Sequence, residues 1–371
     1  MSASSSRRDW LKNTATILTG IGIAPGLLAA ERPTPLLPSS DGIILLNSNE
    51  NAYGPSAATK KAMTEALINS NRYPDDQIPV LRKEISDFWG VEKENIVMGS
   101  GSSEILGLTF LSVSAVKGDI ITAEPSYKVW HNQAKSFGLQ IKSLPLNDKR
   151  KLDINSMLSA IDSNTRLMYV CNPNNPTGTY IDDSTLRNFV LECSKKCTVL
   201  VDEAYTEFSN LPSLKDIAVK NTNVVVAKTF SKIYGLAGES IGYAIAHPDT
   251  IKKLSDLQAW PNVGISMVTA AAASAALKDQ AFVKECREKT AEARELCYKT
   301  FRKHKLVYIP SVTSFVLFNI DKIGSGFSGK MEAKKIMVQY RDHFGGKWCR
   351  VTMGTLDEMQ TFGAALKSIA G

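Results

Sequence analysis

Apolar positions in this chain fall into short runs separated by longer amphipathic stretches. Residues 43–46, 96–98, 120–123, 166–170 and 199–201 are compact, largely apolar or β-branched runs of single-strand length, and 140–144 reads as another strand. Val224-Val225-Val226 is apolar without alternation, as a strand covered on both faces requires. Between these runs, helical spacing predicts helices over 57–68, 80–89, 126–137 and 183–195, with another starting near Ser103. Strands alternating with helices predict an α/β fold, a mostly parallel sheet covered by helices. From 248 to 304 the pattern is helical and ends in a charged helix over 282–303. Beyond Pro310 it predicts strands over 314–320 and 348–353 around a helix at 332–340, then a last helix. This second half reads as a smaller α+β domain. The expected division is a large domain over 61–254 and a small one over 41–60 plus 255–371.

Residues 1–30 break the pattern. Arg7-Arg8-Asp9-Trp10-Leu11 is a twin-arginine sequence followed by an apolar segment that ends at Ala29-Ala30. It resembles a Tat-type export signal, which implies a periplasmic destination, or a cytoplasmic one if the segment is not a working signal. Gly20, Gly22, Pro25 and Gly26 interrupt the apolar run, so no stable membrane span is expected. Residues 31–40, rich in Pro and Ser, read as a linker.

Composition narrows the function classes. The 371 residues are 43% hydrophobic and 22% charged, an ordinary globular balance with length for a large core. The net charge of +7 is spread without long basic runs, which argues against nucleic acid and favours small anionic ligands. Cys171, Cys193, Cys197, Cys286, Cys297 and Cys349 form no CxxC pair, so neither a metal site nor a disulfide framework is indicated.

Candidate chemistry gathers at predicted strand ends, where open α/β sheets bind ligands. Gly101-Ser102-Ser103 opens a helix, whose N-terminus attracts anions. Tyr127 follows the next strand and could stack on a flat ring. Cys171-Asn172-Pro173-Asn174-Asn175-Pro176-Thr177-Gly178 is a rigid turn whose amides can bind a ring hydroxyl. Asp202 ends a strand and, if buried, needs a cationic partner; Tyr205 lies nearby. Then come Thr229, Ser231 and Lys232. A lysine desolvated at a sheet mouth is a usable amine nucleophile, suited to a Schiff base with an aldehyde cofactor.

Together, Asn175-Pro176-Thr177-Gly178, Asp202-Glu203-Ala204-Tyr205 and Ser231-Lys232 with Gly235-Leu236-Ala237-Gly238 resemble the fold-type-I pyridoxal-phosphate aminotransferases of class I/II. Asn49-Glu50-Asn51, Tyr53-Gly54-Pro55 and Asn71-Arg72-Tyr73-Pro74 are similar to the histidinol-phosphate aminotransferase-like branch. The resemblance spans about residues 41–370 and makes 61–254 the cofactor-binding domain. It implies pyridoxal 5'-phosphate as cofactor and amino-group exchange between an amino acid or amino phosphate and a 2-oxo acid. Lyase, cyclase or racemase chemistry on the same fold is the alternative. The implied catalytic residue is Lys232. Asp202 would face the pyridine nitrogen, Asn175 and Tyr205 the ring hydroxyl, and Tyr127 the ring face. Ser102, Ser103, Thr229 and Ser231 would hold the phosphate. Tyr73 would reach the neighbouring subunit's cofactor, implying a homodimer. Arg350 would clamp a substrate carboxylate or phosphate, with Asn49 and Tyr53 also on the substrate side.

Two positions depart from the resemblance. Relatives usually place a phosphate-binding arginine eight residues after the lysine, where this chain has Ser240. A second substrate arginine, common near residues 337–342, has Arg341 as its candidate here.

Overall fold

The computed structural model describes residues 42–261, 264–324 and 326–370. Two sheets organise them. The larger has seven strands: β2 (Ile96–Ser100), β3 (Gly118–Glu124), β4 (Leu139–Pro145), β5 (Thr165–Cys171), β6 (Thr198–Asp202), β7 (Val224–Thr229) and β8 (Ile241–Ile245), in the order β2-β8-β7-β6-β5-β3-β4. The run β7-β6-β5-β3-β4 is parallel, and β8 is antiparallel to both its neighbours. The smaller sheet joins β1 (Ile44–Leu46) to β9 (Tyr308–Ile309), β10 (Phe315–Asn319), β11 (Ile336–His343) and β12 (Gly346–Thr352), in the order β1-β11-β12-β10-β9.

The helices of ten residues or more are α1 (Ala57–Ala66), α2 (Gln77–Trp89), α3 (Gly101–Val113), α4 (Asp183–Ser194), α5 (Met267–Lys278), α6 (Gln280–Lys303) and α7 (Leu356–Ala370). Strand alternation divides the large sheet's apolar residues between two cores. Met168, Val170, Val199, Val201, Val224 and Val226 pack with residues of α2, α4 and α5. Leu167, Tyr169, Cys171, Leu200, Val225 and Ala227 pack with residues of α3 and Trp130. Both faces are dry, which is why these strands carry nearly continuous apolar sequence. The small sheet buries Val316, Phe318, Cys349 and Val351 against Phe301 of α6 and Phe362 of α7. Helix α6, 24 residues and about 36 Å long, reaches both cores: Val283 and Cys286 join one, Cys297 and Phe301 the other. Among the described residues no helix is long and apolar enough to cross a membrane.

Several expectations need correction. The helix predicted over 332–340 is a strand, β11, preceded by a short helix at Phe327–Glu332. Ile336 and Val338 alternate with less buried neighbours, and β11 is held between β1 and β12, so ladder pairing overrides local helical spacing. The helix predicted over 126–137 is confined to His131–Ser136, leaving Ser126 and Tyr127 in a loop. Strand β8 was not expected; it inserts between β2 and β7. Helix α5, placed by sequence with the small domain, buries Ala270, Ala272, Ala273 and Ala276 in the core of the large sheet. The predicted export signal and linker, residues 1–40, lie outside the described residues.

Candidate active site

The parallel strands end at a cavity of about 620 Å³. Each expected strand-end residue reaches its wall: Ser102 and Ser103 from the start of α3, Tyr127 after β3, Asn175 after β5, and Asp202 at the end of β6. Thr229 ends β7, Ser231 and Lys232 follow it, and Tyr205 follows Asp202. The small sheet supplies the opposite wall through Arg350 of β12, and Asn49 enters from the loop after β1.

At one end the wall is made of hydroxyls around a helix N-terminus. The Ser231 N–H donates to Thr229 Oγ1 at 3.1 Å, and Thr229 Oγ1 lies 3.0 Å from Ser231 Oγ. Ser240, at φ +48°, lines the same cavity. Close approach here requires Gly242, because a Cβ at that position would stand 2.5 Å from the Ser102 nitrogen and 2.7 Å from the Lys228 oxygen. The glycine lets α3 begin against the sheet, where its first N–H groups have no helical partner of their own.

Lys232 is half-buried, with Nζ 5.9 Å from the centre of the Tyr205 ring. Burial lowers its pKa, and the Arg350 charge lowers it further, against the opposing pull of Glu50 and Asp202. Asp202 is buried. Its Oδ2 accepts the Tyr169 hydroxyl at 2.8 Å and its Oδ1 accepts the Ala204 N–H at 3.1 Å. Burial raises this carboxyl, and those two hydrogen bonds, with the charges of Lys232 and Lys228, oppose the rise.

On the opposite side, the Tyr205 hydroxyl accepts from Asn49 Nδ2 at 3.0 Å and from Asn175 Nδ2 at 3.4 Å. Burial raises the Tyr205 phenol pKa, with Arg350 opposing. Arg350 is buried; its Nη1 donates to Asn175 Oδ1 and its Nη2 to the Asn47 carbonyl, both at 2.8 Å. Its Nε is buried and has no hydrogen-bond partner among the described residues. Asn49 is anchored by Thr352, whose Oγ1 accepts the Asn49 N–H at 2.9 Å. Gln339, opposite Arg350 in the ladder, then Arg341 and His343 line the cavity from alternate positions of β11.

Two predicted residues lie elsewhere. Tyr53 is half-buried under Lys289, whose Nζ is 4.8 Å from its ring centre, and it does not line the cavity. Tyr73 is 81% exposed and stacks on Trp260, ring centres 6.2 Å apart, beside a second cavity of about 880 Å³.

Sequence reasoning missed several positioning residues. Asn174 Oδ1 accepts the Ser126 hydroxyl at 2.7 Å, tying the loop of Tyr127 to the loop of Asn175. Tyr169 precedes the recognised motif and carries no chemistry signal of its own; only strand alternation puts it on the face of Cys171. Gln339 was hidden by the expected helix at 332–340, and His343 lies beyond that helix, where no strand was expected. Behind the site, buried Lys228 pairs with Glu207 at 2.7 Å and Glu203 at 3.3 Å, and its Nζ lies 4.7 Å from the Trp89 ring centre.

Residues 41–366 match the family described as aminotransferase class I and II. The chain is 34% identical to the histidinol-phosphate aminotransferase of Moorella thermoacetica, over 88% of this chain and 85% of that protein. It is also 34% identical to the histidinol-phosphate aminotransferase of Bacillus cytotoxicus, over 85% of this chain and 86% of that one. Among solved structures, it is similar to histidinol-phosphate aminotransferase from Sinorhizobium meliloti in complex with pyridoxal-5'-phosphate. That match has a TM-score of 0.83 at 25% identity and covers 94% of this chain and 98% of the other.

Proposed function

This chain belongs to the class I and II aminotransferases, enzymes that use pyridoxal 5'-phosphate, and we propose that it moves an amino group between an anionic amino acid or amino phosphate and a 2-oxo acid. The observation that carries this reading is one cavity lined by a lysine of lowered pKa, a buried carboxylate and a buried arginine.

The residues fit the cofactor. The two hydrogen-bond partners of the Asp202 carboxylate among the described residues are neutral, and a buried carboxylate without a close cation is unfavourable. A protonated ring nitrogen would supply that cation. Asn175 and Tyr205 would take the ring hydroxyl, and Tyr127 would cover the ring. Ser102 and Ser103 N–H groups, with Thr229 and Ser231 hydroxyls, would take the phosphate. Pyridoxal phosphate supplies an aldehyde for the substrate amine and a ring that accepts the electron pair released at the substrate α carbon.

This chain's side chains do the rest. Lys232 Nζ would bond the aldehyde at rest and, once displaced by the substrate amine, move the α proton as base and then acid. Arg350, which lines the cavity, would hold the substrate carboxylate or phosphate. The same anion would neutralise the charge that lowers the Lys232 pKa, leaving Nζ a stronger base when it must accept the proton. Arg341, exposed at the cavity wall, would take a second acidic group of the substrate.

We read the exposed Leu67, Ile68, Tyr73 and Trp260 as part of a homodimer face, with Tyr73 directed to the partner's cofactor. Equilibrium sedimentation of the parent and of Tyr73→Ala tests this; a monomeric parent would end it. The twin-arginine segment supports export, which Arg7→Lys with Arg8→Lys should abolish in cell fractionation.

The main test is a half-reaction. Purified protein loaded with the cofactor is given one amino donor and no acceptor. The expected result is one equivalent of oxo acid per site and a cofactor left in its amine form. Turnover that releases ammonia, or leaves the cofactor an aldehyde, would overturn transamination.

A further inference from the structure

The groups that face Asp202 come from several elements. They are Tyr169 and Cys171 of β5, Lys228 of β7, Tyr127 after β3, and Tyr205 and Lys232 in the loops beyond the strands. Tyr169 is the one whose side chain hydrogen-bonds to the carboxylate. Both side chains are buried, Tyr169 at 1% exposure and Asp202 at 4%, so water does not substitute for a lost donor there. The Tyr169 ring is fixed by packing on Trp130, with ring centres 4.9 Å apart. Two donors, a phenol and a peptide N–H, therefore hold the two carboxylate oxygens in place at the cavity wall. A carboxylate has roughly four acceptor sites, so lone pairs remain for a ligand.

We propose that Tyr169 is the positioning residue for the cofactor's ring nitrogen: by donating to Asp202 Oδ2 it keeps that carboxylate ionised and aimed, and so sets how firmly a protonated pyridine is held. The inference rests on the reading of Asp202 as the ring-nitrogen partner. It assigns a function to a residue outside every motif in the sequence. Burial pushes the Asp202 carboxyl toward its neutral form, and the Tyr169 hydrogen bond is the first of the opposing influences. Without the phenol, Asp202 would protonate at higher pH, and a neutral carboxyl holds a pyridinium poorly.

The experiment compares two ligands by equilibrium titration across pH: pyridoxal 5'-phosphate, and its carbocyclic analogue with C–H in place of the ring nitrogen. Tyr169→Phe keeps the packing on Trp130 and removes only the hydroxyl. It should weaken the natural cofactor roughly tenfold to a hundredfold near neutral pH. It should move the acid-side loss of affinity to higher pH and leave the analogue's affinity unchanged. Equal weakening of both ligands would make Tyr169 a packing residue and overturn the proposal, as would no weakening of either. Asp202→Asn in the same assay separates the premise from the inference. If that variant binds the natural cofactor as well as the parent does, the reading of Asp202 fails. If it loses the natural cofactor selectively while Tyr169→Phe does not, only the role of Tyr169 fails.

Discussion

The two walls of the cavity are built in opposite ways. The wall from the large sheet is a set of strand ends, each contributing a short contiguous motif. Thr229 and Ser231, bonded to each other, are two residues apart. The wall from the small sheet is assembled from distant chain. Asn49 bonds Thr352 across 303 positions, and Arg350 reaches Asn175 across 175. The first wall presents hydroxyls, a helix start, a carboxylate and an amine, which suit one fixed ligand. The second presents Arg350, Gln339, Arg341 and His343 on adjacent strands, where changing one side chain changes what is bound. The difference separates cofactor chemistry from substrate choice, and each wall can be broken alone.

The largest effect should come from the first wall. Lys232→Ala should lower amino transfer by at least about 10³-fold while the fold is kept, because the side chain is only half-buried. Single-turnover assays and the cofactor's absorbance read both points; a variant with parental turnover would remove Lys232 from the chemistry. Next is the brace behind that wall. Lys228→Met leaves Glu203 and Glu207 without their counter-charge, at a cost of about 3–5 kcal/mol in urea unfolding. Adding Glu203→Gln and Glu207→Gln should recover much of it, and an unaltered midpoint in the single variant would deny the cluster any bracing role.

The second wall should give a smaller and more selective effect. Arg350→Ala should reduce kcat/KM for a carboxylate substrate about 10²-fold, mostly through KM, with cofactor affinity near the parent's. It should also raise the pH at which Lys232 captures the aldehyde, since the Arg350 charge is one cause of the lowered lysine pKa and its loss returns the amine toward its ordinary value. An unshifted pH profile for cofactor capture would show that the two walls are not electrically coupled. The smallest effect belongs to the hydroxyl end. Ser240→Arg adds a cation beside the phosphate cradle and should slow cofactor loss on dilution by roughly tenfold. No change would mean that the hydroxyls and the helix start already suffice.

How far the site was legible follows the same division. Lys232, Asp202, Asn175, Tyr205, Thr229, Ser231, Ser102, Ser103 and Tyr127 were all named from contiguous motifs, and all line one cavity. Tyr53 was named with equal reason from Tyr53-Gly54-Pro55, yet it packs under Lys289 outside the cavity, because a motif does not say which way a loop turns. Tyr169 went unnamed, and Asn174 was named only as one amide of a turn, because their work consists of holding other residues.

What the sequence determined by itself is whatever is local. Apolar runs and turn chemistry specified most strands of the large sheet, their parallel alternation with helices, and the reactive groups at their ends. What the tertiary structure decided is whatever needs a partner far along the chain. Residues 336–343 are a strand because β1 and β12 offer them ladders on both sides. Helix α5 belongs to the large-sheet core because α2 and the strands close over its alanines. Arg350 is buried because Asn175 and Asn47, remote in sequence, meet its donors. Hydrogen-bond and burial energies depend on which groups meet, and chain periodicity carries no record of that meeting.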